Sequence, residues 1–135
     1  MTDISEMLKA YLAEAEDAPM VWGESDCSTW PAKWVERVRG VSVPLPAWSS
    51  REEAHALMRD TGSLVSLWDE ALSECGIYET AVPSIGDVGV ILSHAHGEAG
   101  GIFIDGGYFA WRAEPTGYRI LRPRQNTIVK VWSIQ

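Results

Sequence analysis

The sequence predicts an α+β fold, with N-terminal helices packed on a small antiparallel sheet. Three observations predict it. Apolar residues recur at helical spacing up to Cys75, and from Gly86 onward the pattern changes to short β-rich runs separated by turn residues. Helices first and strands afterwards favour a segregated α+β architecture over alternating βαβ units. The 135 residues suit one domain, 1–135, and are too few for two.

The elements follow in order. Ile4, Met7, Leu8, Tyr11, Leu12 and Ala15 share one helical face between Asp3 and Glu16, and Asp3 with Glu6 forms a capping-box pattern. A second helix is expected from about Cys27 to Arg39, burying Trp30, Trp34, Val35 and Val38 and stopping at Gly40. If Asp26 is its N-cap, Pro31 falls at the edge of the first turn, where it removes one backbone hydrogen bond. Val41–Trp48 is punctuated by Pro44 and Pro46 and reads as an extended loop. Ser49 or Ser50 caps a third helix closed by Gly62, and a fourth runs from about Ser63 to Cys75. Strands are expected at Asp87–Leu92, Gly101–Asp105, Tyr108–Arg112, Tyr118–Leu121 and Ile128–Ser133. The Gly100-Gly101 and Gly106-Gly107 pairs suggest tight turns or close packing.

Charge and composition exclude several function classes. The formal net charge is −8, and acidic residues crowd the first 26 positions, which argues against a nucleic-acid surface. Arg119, Arg122, Arg124 and Lys130 cluster near the C-terminus, on solvated strand faces or in a docking patch. Two cysteines are too few for a disulfide framework, so a reducing compartment is the simpler expectation. The N-terminus lacks the pattern of a signal peptide, and no stretch approaches the ~20 apolar residues of a membrane span. Seven tryptophans either fill a core or anchor an interface. No cofactor motif is present.

Cys27 is the leading functional candidate. The run Trp22-Gly23-Glu24-Ser25-Asp26-Cys27-Ser28 places a thiol at a helix start, where free N–H groups and the helix dipole favour thiolate. The competing reading is a small buried core residue.

With Gly86-Asp87-Val88-Gly89-Val90 and Gly101-Ile102-Phe103-Ile104 downstream, this motif resembles the NlpC/P60 superfamily of papain-like cysteine peptidases, and within it a small phage- and prophage-associated branch. The resemblance spans about Val21 to Trp132. It implies a papain-like NlpC/P60-type fold with Cys27 at a helix N-terminus against the sheet. It also implies a histidine opening the strand after the Gly-Asp strand, oriented by a polar residue on the next. The gapless matches here are Ala99 and Trp111, and neither can serve: alanine accepts no proton, and an indole nitrogen only donates.

His94 and His96 lie close by in sequence. With a three-residue insertion in the hairpin, His96 could return to the thiol, with Glu98 or Asp105 as orienter. The alternative is that both are solvated loop residues. The candidate catalytic set is therefore Cys27, His96 and Asp26. A metal site on His94, His96 and Glu98 or Asp105 has no supporting ligand spacing, so no metal is expected. His55 sits in an acidic helix and is expected to face solvent, and Asp87 to hold the turn into its strand.

Two functions follow from the resemblance. One is a phage tail-tip component with a degenerate site, made in the bacterial host cytoplasm and carried in the virion tail, with other tail-tip proteins as partners. The alternative is an active peptidase or amidase, in which Cys27 attacks a peptidoglycan amide and a backbone N–H stabilises the oxyanion.

Overall fold

A computed structural model describes residues 3–93 and 97–134. Four helices come first: α1 (Ile4–Glu16), α2 (Thr29–Arg39), α3 (Arg51–Thr61) and α4 (Leu64–Glu74). Five strands follow: β1 (Val88–Ser93), β2 (Gly97–Phe103), β3 (Phe109–Arg112), β4 (Tyr118–Leu121) and β5 (Ile128–Trp132). They form one antiparallel sheet in the order β4-β3-β2-β1-β5.

The helix ends carry the expected chemistry. Asp3 caps α1 by accepting from the Ser5 N–H, Ser50 caps α3 through the Glu53 N–H, and Ser63 caps α4 through the Ser66 N–H. Gly40 ends α2 in the left-handed conformation, φ 67°. Val41–Trp48 has no regular structure, in keeping with its prolines.

The two faces of the sheet pack differently. Val88, Val90, Ile102, Ala110 and Trp132 join the helices in a main core with Leu8, Tyr11, Trp30, Trp34, Leu67 and Trp68. Ile91, Ala99, Phe103, Phe109 and Val131 form a second cluster, flanked by Trp111, Leu121 and Ile128. Side chains alternate along a strand, so Ala99 and Phe103 point away from the face that meets the helices. Gly89 and Gly101 lie on that second side, where a Cβ would press on Phe103 and Phe109. Trp30, Trp34, Trp48, Trp68 and Trp132 are buried, and Trp22 and Trp111 are half-buried. Of the two uses the sequence left open, five of the seven tryptophans are thus given to core packing.

β2 corrects one expected boundary. It starts at Gly97, not Gly101, because Gly97, Glu98, Ala99 and Gly100 pair in register with Ser93, Leu92, Ile91 and Val90. A glycine-rich segment has low intrinsic strand preference, and pairing with β1 overrides it. The helical ladder of α2 likewise begins at Thr29 and not at Cys27.

Candidate functional site around Cys27

The turn 23–29 is organised by the Asp26 carboxylate, which is 1 % exposed. Its Oδ1 accepts from the Ser28 and Thr29 N–H groups, both at 2.9 Å. Its Oδ2 accepts from the Gly23 N–H at 2.7 Å and from the Trp48 indole at 2.6 Å. Thr29 Oγ1 accepts in return from the Asp26 N–H, completing a reciprocal cap. Asp26 thus caps the turn that leads into α2, whose own N-cap is Ser28 with no side-chain bond, and it ties the loop before α3 to the Cys27 turn through Trp48. All its acceptor capacity goes to N–H groups of this turn and loop.

This arrangement decides the state of the thiol. The Ser28 and Thr29 N–H groups at the helix mouth are directed at Asp26 and not at the sulfur. Cys27 is partly covered as a residue, but its thiol is buried. Burial, reinforced by the Asp26 negative charge, pushes its pKa up to about 11, although the Gly100 N–H, its own N–H and the Ser28 hydroxyl pull the other way. Burial and the neighbouring carboxylate thus oppose the thiolate that the helix start was expected to favour. Alkylation by iodoacetamide, followed by mass spectrometry, should rise about tenfold per pH unit between pH 7 and 9 with no plateau. A plateau already reached below pH 8 would contradict this environment.

The strand beside the thiol presents Glu98, Gly100 and Ile102 to the helices. Ile102 belongs to the main core, Glu98 Oε1 accepts from the Leu64 N–H at 3.3 Å, and Gly100 lies against Cys27. A Cβ on Gly100 would stand 2.5 Å from the Cys27 carbonyl oxygen and 2.5 Å from the Trp68 ring. Ala99, the gapless match to a catalytic histidine, faces the second cluster instead, as does Trp111. Asp105 is exposed in a short turn beyond the far end of β2.

His94 and His96 lie outside the described residues. Gly97, where the description resumes, is three residues from Gly100, roughly 10 Å of strand. Among the described residues, no group of three or more His, Cys, Asp or Glu is placed to hold a metal ion. No helix among them is long and apolar enough to cross a membrane.

Arg112, which the sequence reading left unassigned, shapes the approach to the site. It is 5 % exposed and its five N–H donors reach five backbone carbonyls. Nε donates to Ser25 O, one terminal nitrogen to Ala15 O and Gly117 O, and the other to Ala18 O and Pro19 O. The end of α1 and the segment leading to Cys27 are thereby fixed to β3. An open groove of about 240 Å³ beside them is lined by Tyr11, Glu24, Ser25, Trp30, Lys33 and Arg112 among others, but not by Cys27.

Asp87 holds the turn into β1, as the sequence suggested. Its carboxylate accepts from the Ser84 and Ile134 N–H groups, and burial pushes its pKa up. The Trp34 indole donates to the neighbouring Gly86 carbonyl at 2.8 Å, joining α2 to the same turn. Close packing at Gly100-Gly101 was the signal in the sequence for the thiol's surroundings. No local pattern announced that Trp68, from α4, would fill the space.

A family model, the domain of unknown function DUF6950, matches residues 1–134, and the chain belongs to that family. No curated protein matches it.

Proposed function

We propose that this DUF6950 chain is a papain-like domain of NlpC/P60 type without hydrolytic chemistry, working as a structural component of a phage tail tip. The observation that carries the inert reading is Gly100. On the strand beside the thiol, the position directed at Cys27 has no side chain, and the Cys27 carbonyl and the Trp68 ring occupy the space a base would need. A thiol with its pKa raised to about 11 and no neighbouring imidazole among the described residues is a poor nucleophile at neutral pH. Supporting the fold part are the position of Cys27 in the turn just before α2 and the contact of that turn with a strand of an antiparallel sheet. The tail-tip part rests on the sequence resemblance carried by Trp22-Gly23, Asp26-Cys27 and Gly86-Asp87-Val88.

Purified protein and its Cys27→Ala variant should release the same background level of soluble fragments from peptidoglycan. Phage particles built with Cys27→Ala should assemble and infect at the wild-type level, with the protein found in purified tails. Thiol-dependent release of fragments would restore the alternative, an active peptidase or amidase with His96 as base. Absence of the protein from purified tails would remove the structural role.

A further inference from the structure

We propose that the free edge of β4 is a docking site for an extended, acidic segment of another protein, added to the sheet as a sixth antiparallel or parallel strand. β4 ends the sheet order, and no described residue pairs with its outer side. Residues 18–20 bridge to 115–117 just before β4, through Met20 N–H to Pro115 O and Gly117 N–H to Ala18 O, and leave Tyr118–Leu121 itself uncovered by described residues; beyond β5, Thr80 N–H donates to Val131 O and Ser133 N–H to Tyr78 O, so the opposite edge is partly covered along the strand. An uncovered edge offers a row of backbone donors and acceptors to an added strand.

Charge selects the occupant. No Asp or Glu follows Glu114 in the sequence, while Arg119, Arg122 and Arg124 fall within six residues. All three are exposed, and none makes an ion pair with a described residue; Arg122 lies over the Tyr108 ring, 6.0 Å from its centroid. The neighbouring strand β3, Phe-Ala-Trp-Arg, supplies no carboxylate. A cationic edge whose arginines make no ion pair with a described residue, on a chain of net charge −8, is complementary to an acidic segment. The same charges oppose a second copy, because β4 paired with β4 would bring the arginines of both together. Alternation along β4 adds side-chain selectivity. Arg119 and Leu121 share one face, Tyr118 and Ile120 the other, and Ile120 is 47 % exposed. A segment alternating acidic and apolar residues could set its carboxylates against Arg119 and its apolar side chains beside Ile120.

The probe is an acetylated, amidated octapeptide of alternating Glu and Val, titrated into the ¹⁵N-labelled full chain. Its amide signals at Tyr118–Leu121 should shift, and binding should weaken roughly tenfold in an Arg119→Glu, Arg122→Glu double variant. A Lys-Val octapeptide, and a Glu-Val peptide with two central prolines, should leave those signals in place. An Arg122→Ala, Arg124→Ala variant provides a second test of the charge term should the double reversal disturb the fold. The proposal fails if no β4 shift occurs at millimolar peptide, in which case the arginines only guard the edge. It fails equally if the Lys-Val or proline peptide binds as well, if charge removal leaves the affinity unchanged, or if the free chain dimerises through β4.

Discussion

Arg112→Met is expected to lower folding stability by about 3–5 kcal/mol, because removing the buried guanidinium takes a donor from five carbonyls, of which only those of Ala15, Ala18 and Gly117 keep a backbone N–H. Those acceptors lie on Ala15, Ala18, Pro19, Ser25 and Gly117. The first four belong to the end of α1 and the segment leading to Cys27, so the loss should also loosen the turn bearing the thiol. Arg112→Lys should recover only part of the stability, since an ammonium has three donors and no planar fork. Urea unfolding of the three proteins measures this directly. A methionine variant within about 1 kcal/mol of wild type would show that water replaces the guanidinium at little cost.

The second large effect is expected at Gly100. In an ordinary strand, exchanging glycine for alanine gains stability by restricting the unfolded chain. Here the added methyl would meet the Cys27 carbonyl and the Trp68 ring at 2.5 Å, and the carbonyl is backbone that cannot rotate aside. Gly100→Ala should therefore destabilise by about 2–3 kcal/mol. Thermal and urea unfolding give the sign at once. A neutral or stabilising result would mean that β2 and α2 stand further apart than described, and would reopen space beside the thiol for a base.

The sequence was legible where chemistry is local. Asp3, Ser50 and Ser63 act as helix caps, Gly40 closes α2, and the strand Tyr118–Leu121 falls where alternation placed it. Local patterns failed where a distant partner decides. Gly97–Gly100 is strand because β1 pairs with it, and the Cys27 environment is set by Trp68 on α4 and Gly100 on β2. Asp26 was counted with the candidate catalytic groups on its place in the motif. Its four N–H partners, including a tryptophan 22 residues away, show a carboxylate committed to holding the turn. A helix start alone says nothing of which acceptor its free N–H groups will meet, and here those of Ser28 and Thr29 meet the Asp26 carboxylate.

The Arg112 clamp also has a consequence for how the chain acquires its shape during synthesis. Its links to residues 15–25 span 87 to 97 positions. A polypeptide emerging from the ribosome N-terminus first can wind α1 at once, since its hydrogen bonds are local. The segment that leads to Cys27 must wait until β3 has emerged, leaving its carbonyls to water in the interval. The stretch between α1 and the thiol turn is thus tied down late, by the sheet, while the turn itself can close early on the local bonds of Asp26.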